Sequence, residues 1–300
     1  MIKSFEELIG NLKNIEKIKT VGVVCAHDEH TLEAVIKGEK EGLIKSILFG
    51  NKDEIKTILA NLGYNKKDND IIETLTDSEA AEKAVEFVRK GKLDFLMKGK
   101  LQTADMLKAV VNKEKGLRTG KIISHLAFNE LPTYHKLIVI SDGGMMMYPD
   151  LQQKKQIIEN GVEILRAMGV ETPKVAVLAA VEKVNSKMPE TIDAAELKRL
   201  NEIGEIKHCI VEGPISYDLT MNRESAIIKG YKSPVAGDAD LLIVSNITVG
   251  NILGKALVYS ARSKMAGIIV GAKVPIVLTS RGATSEEKYL SLVLCASAVK

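Results

Sequence analysis

The chain has 300 residues, 45% of them hydrophobic and 27% charged, the composition of a soluble globular protein with room for about two domains. Its 42 basic and 39 acidic residues give a formal charge of +3, far short of the basic footprint of a nucleic-acid binder. No apolar run approaches the ~20 residues that span a bilayer, and the start Met1-Ile2-Lys3-Ser4-Phe5-Glu6-Glu7 lacks the basic-then-apolar order of a signal peptide. The expectation is a cytoplasmic protein with no nucleic-acid partner and no membrane partner. Cys25, Cys209 and Cys295 are widely spaced in apolar stretches, and all three are read as buried thiols rather than a disulfide or metal set.

Short runs of Val, Ile and Leu alternate with segments of helical period, the pattern of an α/β fold with mostly parallel strands covered on both faces. In chain order, strands are expected at residues 20–26, 46–49, 70–74, 94–97, 136–141, 174–181, 208–211, 240–245, 266–270 and 275–279. Gly42 closes a helix begun near Thr31, and Thr76 with Glu79 forms a capping box for a helix that Gly91 ends. The stretch Gly143-Gly144-Met145-Met146-Met147-Tyr148-Pro149 interrupts any regular element before the longest amphipathic segment, residues 150–168. A domain crossing is placed there, with residues 1–143 before it and 144–272 after it. Periodicity alone does not say to which domain the last strand and helix, within 273–300, belong.

In open parallel sheets ligands bind beyond the carboxyl ends of the strands, where helix N-termini present free N–H groups. That rule selects the loops at His27-Asp28, Lys98-Gly99-Lys100, Asp142-Gly143-Gly144, Glu182-Lys183, Pro214 to Asp218, Asn246 to Asn251 and Ser280-Arg281-Gly282. The segment Lys98-Gly99-Lys100-Leu101-Gln102-Thr103 reads as a glycine turn into a helix with Thr103 as N-cap. Its N–H groups and lysines suit an oxyanion, although a plain capped turn with solvated lysines fits as well. Arg118, with Ser124 and His125 close behind, offers a second cationic stretch that could grip phosphate or simply face water. Met145-Met146-Met147 could line an apolar acyl pocket or pack in the core. Thr284 and Glu287 have capping-box spacing, so Glu287 is either a cap or a carboxylate available for chemistry. No glycine fingerprint, phosphate loop or nucleophile elbow is present, and His27 with His30 lacks the partners of a metal site.

These residues, with Ser233-Pro234-Val235-Ala236-Gly237-Asp238-Ala239-Asp240, Gly250-Asn251-Ile252 and residues 275–282, resemble the phosphate acetyl/butyryltransferase family over nearly the whole chain. The resemblance implies two α/β domains with an interdomain cleft, as in isocitrate and isopropylmalate dehydrogenases, residues 273–300 returning to the N-terminal domain. It implies exchange of an acyl group between coenzyme A and phosphate, with coenzyme A as substrate, no permanently bound cofactor, no metal, and a homo-oligomeric state. Ser280 and Arg281 would contact thiol and acyl phosphate, and Glu287, seven residues after the serine, would act as base. Lys98, Gly99, Lys100, Thr103, Arg118 and Ser124 are assigned to phosphate, and Asp142, Gly143, Met145 and Asn251 to CoA and the acyl chain. Acetyl-specific members carry Asp, Cys and Asn-Asp-Leu where this chain has Glu287, Ala283 and Val277-Leu278-Thr279, and an arginine near Lys108. The less polar wall favours a four-carbon acyl chain, with an acetyl preference as the alternative. On the same scaffold, a nicotinamide-dependent β-decarboxylating dehydrogenase or a non-catalytic CoA or phosphate sensor are readings from other classes.

Overall fold

The computed structural model describes residues 2–15, 17–280 and 282–299. By its contacts the chain divides into two compact units, Phe5–Lys121 with Ala266–Lys300, and Met1–Ser4 with Ile122–Met265.

The N-terminal unit begins α1 (Phe5–Lys13), β1 (Lys19–Val24), α2 (Glu29–Lys40), β2 (Ile44–Gly50), α3 (Lys52–Asn61), β3 (Ile71–Glu73), α4 (Asp77–Arg89), β4 (Phe95–Lys98) and α5 (Thr103–Val110). The second unit holds β5 (Ser124–Glu130), β6 (Ile138–Ser141), α6 (Leu151–Ala167), β7 (Lys174–Leu178), α7 (Pro189–Glu202), β8 (Ile210–Ile215), α8 (Tyr217–Met221), α9 (Arg223–Ile228), β9 (Leu241–Ile243) and α10 (Ile247–Tyr259). The chain then returns through β10 (Lys264–Val270) to β11 (Ile276–Val277) and α11 (Ser285–Ala298).

In the N-terminal unit the strands lie in the order β3-β2-β1-β4-β11-β10. All of these neighbours pair in parallel except β10 with β11. The strands β1 and β4 are apolar almost throughout because both faces are covered. Helix α11 is buried on nearly every side, from Lys288 to Ala296, as a helix apolar all round must be. The second unit orders its strands β5-β6-β9-β7-β8, with only β5–β6 antiparallel. Ile138, Ile140, Ala176, Ile215 and Leu242 stand in its core.

The fold is α/β with a mostly parallel, mixed sheet, as the alternating pattern predicts. Two boundaries differ from the sequence reading. The crossing falls at 121/122 rather than 143/144 because β5 and β6 pair with each other and β6 continues onto β9. The return falls at 265/266 rather than 272/273, since β10 from Ala266 onward runs beside β11. Strand β5 was absent from the predicted set, its apolar residues being interrupted by His125 and Asn129.

Helix ends follow the local chemistry. Gly42 and Gly91 sit at φ of +72° and +68°, the left-handed conformation that glycine adopts without strain. Thr76 caps α4 by accepting the Glu79 N–H, but the Glu79 carboxylate accepts the N–H of Leu75 instead of closing the expected box on Thr76. Asp150 and Gln153 form a full capping box on α6. Cys25 and Cys295 are buried, whereas Cys209 is half-buried, a correction to the expectation of three buried thiols. Among the described residues no helix is long and apolar enough to cross a membrane.

Candidate active site

Parallel pairing decides which loops meet. Val24 stands opposite Lys98 across β1 and β4, and Val277 stands opposite Met97 across β11 and β4. The chain therefore leaves all three strands at the same sheet edge, bringing Asp28, the Lys98-Gly99-Lys100 bend and Ser280 together. They line a cavity of about 350 Å³, with Asp77 from the start of α4 and Lys288 from α11.

The bend is held tightly. The Gly99 and Lys100 N–H groups donate to the carbonyls of Val24 and Cys25, each at 2.8 Å. Those two N–H groups are thus spent on backbone, contrary to the expectation that they cradle an oxyanion. A Cβ on Gly99 would stand 2.2 Å from the Cys25 oxygen, so the approach admits only glycine. Lys98 is 7% exposed, with its ammonium 3.0 Å from the Gly99 carbonyl, which removes the solvated reading for this residue, while Lys100 is exposed. Thr103 is the first residue of α5 rather than its cap. That place belongs to Gln102, whose side chain makes no capping bond.

Cations outnumber acids in the cavity. Lys98, Lys100 and Lys288 face Asp28 and Asp77. Burial works to raise the Asp28 carboxyl, but hydrogen bonds from Lys288 and Thr31 outweigh it and hold it below its ordinary value. The Cys25 thiol, 3.4 Å from Asp77, is pushed far up by burial and by that carboxylate, so it is no nucleophile at neutral pH.

At the start of α11, Thr284 accepts the Glu287 N–H at 3.2 Å. The other half of the box, a bond from the Thr284 N–H back to the Glu287 carboxylate, is not made among the described residues. Glu287 is half-buried, and burial raises its carboxyl above the ordinary value against the pull of Lys288. Such a carboxylate has the character of a general base. It does not itself line the cavity.

The other predicted residues fall into place unevenly. Arg118 is exposed, and its backbone bridges Ala272. Arg281 lies outside the described residues. Ser124 is wholly buried, its hydroxyl taking the Asn160 amide at 3.0 Å, so it presents nothing to a ligand and leaves the phosphate set.

In the second unit the residues assigned to CoA and the acyl chain do cluster. The Asp142 carboxylate accepts the N–H groups of His125, Gly144 and Met145 at 2.7–2.8 Å. A Cβ on Gly143 would lie 2.9 Å from the Gly250 carbonyl carbon, and the Asn251 amide reaches the Gly143 carbonyl at 3.4 Å. Met145 and Met146 are half-buried and Met147 is exposed, which argues against a core role for the trio. Asp142 is itself buried, so it shapes the loop rather than touching a ligand. Asp142→Ala, which orphans three N–H donors, should lower stability by about 1–3 kcal/mol, measured by urea denaturation.

Sequence reasoning missed Asp77 and Lys288. A signal for Lys288 was present. A lysine opening an almost unbroken apolar helix must be buried and partnered.

This fold and cavity define an α/β protein with a cationic, glycine-shaped cavity at the carboxyl edge of a parallel sheet. The model of the phosphate acetyl/butaryl transferase family matches residues 65–296, and the chain belongs to that family. It is 44% identical over 296 residues to the phosphate butyryltransferase of Clostridium acetobutylicum, spanning 99% of this chain and 98% of that one. It is 45% identical over 280 residues to the phosphate acetyltransferase of Thermotoga maritima, spanning 93% and 95%. A crystal structure of a branched-chain phosphotransacylase from Enterococcus faecalis superposes with a TM-score of 0.83 at 32% identity, covering 94% of this chain and 99% of that one. The chain is an acyltransferase.

Proposed function

We propose that this enzyme moves a butyryl group reversibly between coenzyme A and inorganic phosphate. The observation that carries the reading is that Ser280, leaving β11, lines the same cavity as the Lys98-Gly99-Lys100 bend leaving β4. Phosphate and acyl phosphate are oxyanions, and lysines buried beside a cavity bind them far more firmly than solvated ones.

In the direction of thioester synthesis, the CoA sulfur attacks the acyl carbonyl of butyryl phosphate while Glu287 takes the thiol proton. The carbonyl electrons move onto oxygen, where Ser280 and, by the resemblance, Arg281 stabilise the charge. Collapse of this intermediate expels phosphate toward the lysines. In reverse, a phosphate oxygen attacks the thioester and the CoA thiolate leaves, recovering the proton. A free thiol has pKa near ~8.5, so the base supplies a nucleophile that neutral water leaves scarce. Coenzyme A is a substrate here, and no resident cofactor enters the scheme. Arg118 and Thr103 belong to the same reading as phosphate contacts, and Gly143, Met145 and Asn251, on loops that Asp142 shapes, as CoA contacts.

The acyl length rests on the resemblance, by which Val277-Leu278-Thr279 stand where acetyl-specific members carry a more polar run, and Ala283, buried here, where they carry cysteine. Each methylene contributes about 1–3 kcal/mol of discrimination, so butyryl-CoA should exceed acetyl-CoA in kcat/KM by roughly 10-fold or more. The assay follows CoA thiol release from each thioester with and without phosphate. A reversed ratio would make the enzyme acetyl-preferring, a second reading that the Thermotoga maritima relative supports. Absence of release from every thioester would end the proposal. The reading includes a cytoplasmic location, and it includes a homo-oligomer because α10 leaves Ile252 63% and Tyr259 83% exposed. Equilibrium sedimentation at a mass above the 32.7 kDa of one chain checks the latter.

A further inference from the structure

Lys288 is a buried cation with a built setting. It follows Glu287 on α11 and is 6% exposed. Its ammonium donates to the Asp28 carboxylate at 2.7 Å and to the Thr31 hydroxyl at 2.8 Å, both at the start of α2. An ammonium carries three N–H donors, and the third has no partner among the described residues. The residue lines the same cavity as Lys98, Lys100 and Ser280.

A purely structural bolt would have little reason to line an anion cavity. Helix α11 is already fastened to α2 by Ser285, whose hydroxyl bonds to Glu33 and lies 3.1 Å from His30 Nδ1. A lysine that serves only to pair with one carboxylate is also a poor stabiliser when buried, because desolvation of both charges offsets their attraction. Here one carboxylate and one hydroxyl fix the ammonium while its last donor remains for a ligand.

We infer that Lys288 is a phosphate-binding residue, held in place by Asp28 and Thr31, whose third N–H donates to an oxygen of inorganic phosphate or of the phosphoryl group of the acyl phosphate. This rests on the acyl-transfer reading above and adds a specific contact to it. It places one fixed cation on the same helical turn as Glu287, so the group that receives the leaving phosphate and the group that takes the thiol proton move as one piece.

The test is steady-state kinetics of Lys288→Met with butyryl-CoA and inorganic phosphate. Loss of a charge-assisted hydrogen bond is expected to raise the KM for phosphate about 10–100-fold while the KM for butyryl-CoA stays within about 3-fold. Ser285→Ala, which loosens the same helix pair outside the cavity, should leave the phosphate KM within about 3-fold. An unchanged phosphate KM in Lys288→Met overturns the inference. So does an equal rise in Ser285→Ala, which would mean a bolt, or a rise confined to butyryl-CoA, which would put the cation under the phosphates of CoA. Should Lys288→Met not fold, Lys288→Gln keeps two N–H donors for Asp28 and Thr31 while removing the charge and the third donor, and carries the same expectation. Calorimetric binding of inorganic phosphate, which needs no turnover, separates the two proposals. A wild type that binds phosphate but releases no CoA defeats the acyl-transfer reading, and a Lys288→Met variant that binds phosphate as tightly as wild type defeats this one.

Discussion

Glu287→Gln is expected to lower kcat by about 10²–10⁴-fold, the usual contribution of a general base, and to leave the fold intact. The capping that α11 needs comes from Thr284 accepting the residue 287 backbone N–H, which glutamine retains. The carboxylate is not engaged in that cap, so its loss should be felt in chemistry. Burial raises the Glu287 carboxyl and Lys288 opposes the rise. A base works when deprotonated, so the acidic limb of kcat/KM should fall as pH drops through a value above the ordinary carboxylate pKa of ~4.3, and this limb should vanish in Glu287→Gln. The stability effect has the opposite sense. A carboxyl whose folded pKa is raised favours the folded state most below the unfolded value and loses that advantage as pH rises through the folded value. At neutral pH the ionised Glu287 is thus a small burden on the fold, and the glutamine variant should melt no lower than wild type. Full kcat in the variant, with an unshifted pH profile, would reduce Glu287 to a bystander.

Gly99→Ala is expected to cost about 3 kcal/mol or more and to abolish phosphate binding together with activity. The added Cβ would meet the Cys25 oxygen at 2.2 Å and the Val24 oxygen at 2.8 Å, both backbone atoms of β1 and its exit. No side chain can swing aside to relieve the clash. The bend must move away from β1, breaking the N–H bonds of Gly99 and Lys100 and displacing both lysine side chains from the cavity. Chemical denaturation followed by circular dichroism measures the first effect, and phosphate calorimetry the second. A variant as stable as wild type would mean that the close approach is not maintained in solution. Gly254, whose Cβ meets nothing within 4 Å, makes a suitable control, since its alanine variant should be tolerated.

Much of the fold was legible because parallel strands covered on both faces must be apolar runs, and Val, Ile and Leu mark them whatever the helices between them say. Strand β5 was not, because it interrupts its apolar residues with His125 and Asn129, and Ser124-His125 reads in sequence as a stretch that could either grip phosphate or face water. The polarity that looked like a ligand site is satisfied inside the unit instead, Ser124 by Asn160 and the His125 N–H by Asp142. The Lys98-Gly99-Lys100 bend and Ser280 were legible because ligands bind beyond the carboxyl ends of parallel strands, a rule that needs no pairing information. Asp28 was noticed only as part of a loop, and Lys288 not at all, because their meeting depends on how α2 and α11 pack. Spacing of 260 residues carries no trace of that contact. The capping spacing of Thr284 and Glu287 fits two roles equally, and the structure shows only the half of the box in which Thr284 accepts the Glu287 N–H.

The return of β10, β11 and α11 to the N-terminal unit has a consequence for synthesis on the ribosome. Domains of a nascent chain generally fold in order of emergence, yet β4 finds its parallel neighbour β11 only when residues 276–277 have been made. Until then the amino-terminal unit exposes an unsatisfied strand edge and lacks α11, while the unit formed by residues 122–265 is already complete. The later-encoded unit should therefore mature first, and the corner that brings Ser280 and Lys288 to the Lys98-Gly99-Lys100 bend can form only after β11 and α11 have been made.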